Sequence, residues 1–395
     1  MTEIRADETR TGSQDRPMIP IMKPWLGEEE AEAAASAVSS GWVAQGPRVA
    51  AFEEAVAARL GAAHGVAVSS CTTALHLGMV TLGIGAGDEV VVPSLSFIAT
   101  ANAARYVGAT PVFADVDPVT QNVTSETIER VLTPATRAVI VVHQGGMPAD
   151  LDDIHAFCRS RGVSIVEDAA CAIGSTYRER PIGGHSDLVA LSFHPRKVIT
   201  TGEGGMILTS RQEWADRLKR LREHGMSVSA AARHESKTLV VEEYLETGFN
   251  FRMTDIQAAV GIVQLGRLDE IVSRRRHLAA RYQEAFADIP DLLAAHDPPY
   301  GKANYQSYWI VLPDHFPMTR NDLIGLMMSR GISPRRGIMA SHLEPAYAGH
   351  PHADLPVTES LTRSSLLLPL YHSLTRAEQD EVIDTVRDAA GLDRT

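Results

Sequence analysis

Apolar and polar positions alternate with two different periods along this chain, and most of the sequence switches repeatedly between them. Short apolar runs bounded by turn residues predict buried strands, as at 88–93, 138–142 and 164–167. Apolar residues spaced three and four positions apart predict helices, as at 50–60 and 151–160. Strands that alternate with helices favour a mostly parallel sheet covered on both faces. The pattern therefore predicts an α/β fold that binds ligands at the carboxyl ends of its strands.

The pattern changes near residue 268. A long helical stretch over 255–286 replaces the regular alternation there and is expected to bridge two domains. One strand and two helices are predicted beyond it, over 308–312, 320–330 and 376–390. We therefore expect a disordered polar tail, a large domain and a smaller C-terminal α/β domain, over 1–16, 17–267 and 268–395.

Composition excludes several classes of partner. The formal net charge is -12, whereas proteins that bind nucleic acids or membrane surfaces need clustered positive charge. No apolar run is long enough to span a bilayer. The three cysteines are far apart and lack metal-ligand spacing, which indicates reduced thiols without a disulfide framework or a metal site. We expect a cytoplasmic protein with no nucleic-acid, membrane or metal partner.

Lys197 follows an apolar strand and precedes a glycine-rich turn, in the segment SFHPRKVITTGEGG. An isolated lysine is usually a solvated surface charge. A lysine at the end of a strand can instead enter a partly desolvated site, which lowers its pKa and makes the neutral amine available for Schiff-base chemistry. The segment alone leaves both interpretations open.

Polar residues also follow two other predicted strands. Asp168 either caps a helix or supplies a buried carboxylate that can pair with a protonated ring nitrogen. The segment 69–75, SSCTTAL, lies between a strand and a helix. Its hydroxyls and backbone N–H groups either cap that helix or bind an anion such as phosphate. On spacing alone the cap is the better interpretation of Asp168, and a phosphate site at 69–75 is indicated only if other segments agree with it.

Together these segments resemble the DegT/DnrJ/StrS family of sugar aminotransferases, which has the aspartate-aminotransferase-like fold, fold type I of the pyridoxal 5'-phosphate (PLP) enzymes. The resemblance extends over 19–390 and depends on many motifs in the same order. They are GWVAQGPRVAAFE at 41–53, SSCTTALHL at 69–77, GDEVVVPSLSFIATAN at 87–102, GATPVFADVD at 108–117, VEDAA at 166–170, SFHPRKVITTGEGG at 192–205 and GFNFRMTDIQAAVG at 248–261.

The resemblance implies PLP as the cofactor and a role for each matching residue. Lys197 would bind the cofactor covalently and then act as the catalytic base. Asp168 would pair with the nitrogen of the cofactor ring. Thr72, with the neighbouring backbone amides including that of Cys71, and Ser192 would hold the cofactor phosphate. A lysine at this position also favours transamination over the dehydration carried out by relatives that have histidine there.

Three further positions are assigned in the same way. Phe97 would stack on the cofactor ring, although simple core packing would also suit a phenylalanine. Asn250 would reach the phosphate bound by the other subunit, which implies a homodimer. Cys171 stands where the family often has a glutamine beside the phenolic oxygen of the cofactor, and a thiol is a poorer hydrogen-bond partner than an amide.

The family resemblance implies an amino acid donor, L-glutamate, and a keto sugar acceptor, a nucleotide-linked 3-keto or 4-keto deoxysugar. A keto cyclitol such as an inosose is the alternative acceptor, and a catalytically idle binding or regulatory protein is the alternative from another class. Substrate contacts are expected from His194, Arg335 and Arg336, the two arginines being equally consistent with a solvated pair. His143 is interpreted as structural. The acceptor pocket is expected in the loops at 41–47, 144–148, 226–237 and 335–347.

Overall fold

The structure is a computed structural model that describes residues 17–228, 239 and 241–392. The tail predicted over 1–16 lies outside the described residues, as does most of the predicted acceptor loop at 226–237. None of the described helices has the length and apolarity that a membrane crossing requires.

Helices and strands alternate through most of the described chain. The helices are α1 Glu28–Ser39, α2 Pro47–Leu60, α3 Cys71–Thr81, α4 Ala99–Tyr106, α5 Ser125–Glu129, α6 Leu151–Ser160, α7 Gln212–Leu221, α8 Asp255–Gly266, α9 Leu268–Phe286, α10 Arg320–Ser329, α11 Pro356–Ser364 and α12 Arg376–Ala389. The strands are β1 His64–Val68, β2 Glu89–Pro93, β3 Thr110–Ala114, β4 Thr136–Val142, β5 Ser164–Asp168, β6 Thr176–Tyr177, β7 Arg180–Pro181, β8 Val189–Ser192, β9 Gly205–Thr209, β10 Leu293–Ala294, β11 Gly301–Lys302, β12 Tyr308–Val311, β13 Arg335–Arg336 and β14 Ser365–Leu368.

A seven-stranded sheet with the order β1-β9-β8-β5-β4-β2-β3 forms the centre of the large domain. The strands from β8 to β3 are parallel to their neighbours, and β9 is antiparallel to both β1 and β8. The predicted α/β class with a mostly parallel sheet is therefore confirmed. The antiparallel strand β9 is an addition to the sequence prediction.

Alternate residues of the central strands enter two different cores. On β4, Val139 and Val141 belong to one buried cluster, whereas Ile140 belongs to the cluster on the opposite face. Successive side chains of a strand point to opposite faces, so a continuous apolar run is what a sheet covered by helices on both faces requires. The carboxyl edge of this sheet is thereby left for polar residues.

The second half of the chain builds a four-stranded antiparallel sheet in the order β10-β12-β14-β13, which has its own core. The single helical stretch predicted over 255–286 is two helices, α8 and α9, because Gly266 ends the first and glycine is a poor helix former. Helix α9 starts in the core of the large domain with Leu268 and continues into the second core with Leu278. The division into a large and a smaller domain at residue 268 stays a prediction.

The segment after β13 lies against the end of β2 in the large domain. Leu95 forms an isolated bridge with Ala340, Ser96 N–H donates to Met339 O at 3.1 Å, and Ser341 N–H donates to Ser94 O at 2.7 Å. The chain after β2 leads directly into α4, so this contact places part of the second domain beside the carboxyl edge of the central sheet.

Candidate active site

Neighbouring residues at the end of β5 point in opposite directions and make different contacts. Glu167 faces inward, where its Oε2 lies 2.9 Å from Nε2 of the fully buried His143. His143 Nδ1 also accepts a hydrogen bond from Ala149 N–H at 3.1 Å. Both ring nitrogens of His143 are therefore engaged within the fold, which supports its interpretation as a structural residue.

Asp168 faces the other side of the sheet and is almost completely buried. Its Oδ2 accepts a hydrogen bond from the Thr100 hydroxyl at 2.9 Å, and its Oδ1 accepts one from Ala170 N–H at 3.2 Å. The Ser96 hydroxyl lies 2.9 Å from that of Thr100. The carboxylate therefore has a fixed orientation at the end of its strand.

Cys71, the first residue of α3, contacts the same carboxylate. Its Sγ lies 3.9 Å from Asp168 Oδ1. Burial, followed by the nearby charge of Asp168, raises the pKa of the Cys71 thiol well above its ordinary value. Cys71 therefore remains a protonated thiol, a weak donor directed at the carboxylate.

Lys197 reaches the same cluster from the loop after β8. Its side chain is half-buried, and its Nζ donates a hydrogen bond to Cys171 Sγ at 3.2 Å. Burial lowers the pKa of Lys197, but Cys171, Cys71 and Asp168 act in the opposite direction and leave this pKa above its ordinary value of 10.5. The lowered pKa expected from the sequence is therefore wrong, because thiols and a carboxylate lie around the amine. At neutral pH that amine is an ammonium ion.

The N-terminus of α3 forms a cup of backbone N–H groups. Ser70 is the N-cap residue, and its hydroxyl accepts a hydrogen bond from Thr73 N–H at 3.2 Å. Thr72 lies in the first turn, where N–H groups have no partner within the helix and the helix dipole attracts anions. Gly205 of β9 passes so close that a Cβ there would lie 2.3 Å from the Ser70 carbonyl carbon. Ser192 pairs with Gly205 across β8 and β9, which brings it to the same edge.

Phe97 opens the chain segment that leads into α4, and its side chain is 66% exposed. Its carbonyl accepts a hydrogen bond from Thr100 N–H at 3.1 Å, and the hydroxyl of the same threonine contacts Asp168. An exposed aromatic ring suits stacking on a ligand better than core packing. Stacking on the cofactor stays a prediction.

Asn250 lies on an irregular segment beside β1. Its backbone bridges to Glu223, and its own side chain is exposed. The next residue, Phe251, accepts a hydrogen bond through its carbonyl from Ser69 N–H at 2.8 Å. The segment therefore runs close to the N-terminus of α3 in the same chain, and the contact of Asn250 with a second subunit stays a prediction.

The residues expected to contact substrate make other contacts within the fold. His194 is half-buried, its Nδ1 accepts a hydrogen bond from Arg196 N–H at 3.1 Å, and burial lowers its pKa. Arg335 and Arg336 form the exposed strand β13, with Arg336 Nη2 at 3.5 Å from Glu344 Oε1. These arginines lie just before the segment that contacts the end of β2. Their contact with substrate stays a prediction.

Asn304 was missed by the sequence analysis. It is fully buried, and its amide donates hydrogen bonds to Cys171 O and Ile173 O, each at 2.8 Å. Gln306, two residues later, donates to Arg196 O at 2.8 Å. This loop therefore holds the backbone beside Cys171 and beside Lys197, although it is more than a hundred residues away in sequence.

Thr100 was also overlooked as a contributor to the site. It occurs in the motif SFIATAN, and its position one turn after Phe97 was the available signal. Residues three positions apart lie on the same side of a helix, so the Thr100 hydroxyl is expected on the same side of α4 as Phe97.

The site fits PLP in two respects. First, an ammonium group and a buried carboxylate lie in one cluster. Cys71 contacts Asp168, Cys171 contacts Lys197, and the two cysteines interact electrostatically with each other. The helix N-terminus at Ser70 begins at the same edge and can bind a phosphate. Among the described residues, no group of three or more histidine, cysteine, aspartate or glutamate side chains could hold a metal ion.

Comparison with known proteins is consistent with this geometry. The sequence profile of the DegT/DnrJ/EryC1/StrS aminotransferase family matches residues 24–387. The spore coat polysaccharide biosynthesis protein SpsC of Bacillus subtilis is 39% identical over 375 residues, which cover 94% of this chain and 96% of SpsC.

Solved structures of similar proteins have the same fold. The aminotransferase TlmJ from Streptoalloteichus hindustanus superposes with a TM-score of 0.87 at 38% identity, covering 95% of this chain and 99% of TlmJ. The PLP form of Spr1654 from Streptococcus pneumoniae, a proposed sugar aminotransferase, superposes with a TM-score of 0.87 at 26% identity and covers 95% of this chain and 99% of its own.

Proposed function

Since the chain belongs to the DegT/DnrJ/EryC1/StrS aminotransferase family, we propose that it transfers an amino group from L-glutamate to the ketone of a nucleotide-linked 3-keto or 4-keto deoxysugar. The chain is an aminotransferase, and its cofactor is PLP. The observation that carries the proposal is the single cluster in which Asp168 and Lys197 are linked through Cys71 and Cys171. A sugar acceptor is supported by SpsC, a polysaccharide biosynthesis protein.

We assign the chemical steps to particular side chains. When bound, PLP supplies an electron-withdrawing ring for the carbon that carries the amino group. Lys197 would hold the cofactor covalently, and its amine, once it is free and has lost its proton, would remove the proton from the donor α-carbon. Asp168 is oriented by Thr100 and Ala170 N–H. Its carboxylate would accept a hydrogen bond from the ring nitrogen and keep a proton there.

The remaining contacts position the cofactor and seal the site. The first backbone N–H groups of α3, together with Thr72 and Ser192, bind the phosphate. Phe97 would stack on the cofactor ring and limit the access of water. Asn250 of a second subunit completes the phosphate site, so we propose that the active enzyme is a homodimer.

Lys197→Ala tests the catalytic assignment. The variant should lose transamination and the near-ultraviolet or visible absorbance of the bound cofactor that borohydride removes, because it has no amine to bind the cofactor or move the proton. Lys219→Ala, a change to an exposed lysine of α7, is the control and should keep both. Full turnover in the Lys197 variant would refute the assignment, and purified protein with no affinity for PLP would favour the idle binding module.

A half-reaction screen tests the acceptor. The enzyme is first treated with L-glutamate, which converts the bound cofactor to its amine form. Nucleotide-linked keto sugars and inososes are then added one at a time while the absorbance of the bound cofactor is followed. We expect the starting absorbance to return with a nucleotide-linked keto sugar. A response to inososes alone would replace the proposed acceptor by a keto cyclitol.

A further inference from the structure

Two buried serine hydroxyls in the segment after β2 enter different hydrogen-bond networks. Ser94 and Ser96 are both buried. The Ser94 hydroxyl lies 2.5 Å from the hydroxyl of Thr358, in the second half of the chain, whereas the Ser96 hydroxyl lies 2.9 Å from that of Thr100. Thr100 also contacts Asp168. Ser96 is therefore the serine that leads to the carboxylate of the candidate active site.

The number of protons sets the direction of the hydrogen bonds between Ser96 and Asp168. Each hydroxyl has one proton to donate, and a carboxylate can only accept. The Thr100 hydroxyl donates its proton to Asp168 Oδ2 at 2.9 Å, so the hydrogen bond between Ser96 and Thr100 uses the proton of Ser96. Donors in such a chain polarise one another inside a protein. The Ser96 hydroxyl therefore strengthens the bond by which Thr100 holds the carboxylate.

Residues from the second half of the chain fix Ser96 in turn. Its N–H donates to Met339 O at 3.1 Å, and its carbonyl accepts a hydrogen bond from the Ser341 hydroxyl at 2.8 Å. Ser341 is itself buried, and its N–H donates to Ser94 O at 2.7 Å. With the backbone held at both polar groups, the Ser96 side chain chooses among three staggered rotamers, and the bond to Thr100 selects one of them.

We propose that Ser96 is a positioning residue for the Asp168 carboxylate, acting through Thr100, and that Ser341 holds Ser96 in place. This role rests on the proposed function, in which the carboxylate pairs with the ring nitrogen of the cofactor. Ala170 N–H holds Oδ1 and Thr100 holds Oδ2, so both carboxylate oxygens have a donor within the chain itself. A carboxylate oriented in advance loses little freedom when it pairs with a ligand.

Hydrogen exchange of the Ala170 amide reports on the carboxylate in the full chain without cofactor, because that N–H donates to Asp168 Oδ1 at 3.2 Å. Thr100→Val removes the hydroxyl and keeps the branched shape, and we expect exchange to become about tenfold faster. Ser96→Ala acts one bond farther away and should give an increase of about threefold. Thr100→Ser restores a hydroxyl and should exchange more slowly than Thr100→Val. Fragmentation mass spectrometry resolves the exchange of the single amide.

Ser94→Ala is the matched control. It removes an equally buried hydroxyl from the same segment, but that hydroxyl contacts Thr358, whose own proton goes to Asp115 Oδ1 at 2.7 Å. This variant should lose stability as Ser96→Ala does and keep Ala170 exchange at the wild-type rate. Equal exchange in Ser94→Ala and Ser96→Ala would overturn the proposal, as would a Thr100→Val variant that exchanges like the wild type.

Ser341→Ala tests the anchor and keeps the hydroxyls of both Ser96 and Thr100. Loss of the hydrogen bond to Ser96 O frees that backbone, so Ala170 exchange should rise about as much as in Ser96→Ala. The same variant supplies the comparison if Thr100→Val fails to fold. Exchange at the wild-type rate in Ser341→Ala would refute the anchoring role.

Cofactor binding gives a second readout, which depends on the proposed function. With PLP bound, Ser96→Ala should release the cofactor about threefold more readily and show a lower kcat with an unchanged KM for L-glutamate, because the ring-nitrogen proton assists removal of the α-proton and not donor binding. Ser94→Ala should match the wild type in both.

The two proposals can fail separately. Faster Ala170 exchange in Ser96→Ala without any change in PLP release would argue against the pairing of Asp168 with the cofactor ring and leave the positioning role intact. Unchanged exchange in an enzyme with normal turnover would refute the positioning role and leave the proposed function intact.

Discussion

Gly146 packs directly against the Asn304 side chain beside the candidate site. Gly146 has φ of 94°, in the left-handed region that favours glycine, and a Cβ there would lie 1.8 Å from Asn304 Oδ1. Asn304 in turn holds the carbonyls of Cys171 and Ile173. A side chain at position 146 would therefore displace the amide that shapes the backbone next to Lys197.

Gly146→Ala should lower the free energy of unfolding by about 3 kcal/mol or more, since it combines a left-handed backbone with a steric clash. Gly162→Ala is the matched control: φ is 66° there and a Cβ would meet nothing within 4 Å, so about 1 kcal/mol of backbone strain is expected. Denaturant unfolding measures both values. Equal losses in the two variants would show that Asn304 does not restrict this position.

Glu167 gives the fold a defined response to acid. Burial raises the pKa of Glu167, but the hydrogen bond from His143 and further polar contacts outweigh it, and the net pKa lies below the ordinary value of 4.5. A carboxylate whose pKa is lower in the folded than in the unfolded state stabilises the fold above the unfolded-state pKa. This stabilisation is lost as the pH falls through the folded-state value.

Glu167→Gln should therefore be less stable than the wild type at pH 7, and the difference should disappear as the pH falls from about 4.5 towards the lower folded-state pKa. Chemical unfolding at a series of pH values measures it. Glu344→Gln, at a partly exposed ion pair with Arg336, is the control and should leave the pH dependence unchanged. A constant difference between wild type and Glu167→Gln at all pH values would contradict the lowered pKa.

Helix α3 serves both stability and binding at the level of a whole element. Its N-cap Ser70 accepts a hydrogen bond from Thr73 N–H, and the turn that follows presents the N–H groups assigned to the phosphate. Helix α10 begins in the same way, with Thr319 accepting from Asp322 N–H at 3.2 Å, but it lies in the second domain. Comparing substitutions at the two caps therefore separates an effect on stability from an effect on cofactor binding.

Ser70→Ala should lower the free energy of unfolding by about 1 kcal/mol and weaken PLP retention, because the cap orients the N–H groups of the first turn. Thr319→Ala should cost a similar amount of stability and leave PLP retention unchanged. Thermal unfolding and equilibrium release of PLP give the two readouts. If the Ser70 variant retained PLP as well as the wild type does, the cofactor phosphate would not bind at the N-terminus of α3.

The proposed homodimer makes a prediction for the whole molecule. If Asn250 acts in the site of the other subunit, inactive Lys197→Ala and Asn250→Asp chains should complement each other when coexpressed. Each hybrid dimer then has one intact site and one site with both changes, and random pairing restores about a quarter of wild-type activity. If Asn250 instead serves its own subunit, both sites of the hybrid are defective and the mixture stays inactive.

The positions of Lys197, Asp168 and the segment 69–75 at strand ends could be predicted from the sequence, because apolar runs and the polar residues after them are local signals. The resemblance also assigned their roles through motifs that are continuous in the chain. The alternation of strand and helix in the large domain was predictable for the same reason.

Only the tertiary structure decided which side chains meet. Asn304 reaches Cys171, and Thr100 reaches Asp168, across long separations in sequence that leave no periodic signal. The pKa of Lys197 was likewise outside the reach of the sequence, because its direction depends on the thiols and the carboxylate that folding brings around the amine. Local pattern determines where a strand ends, whereas packing determines what stands opposite that end.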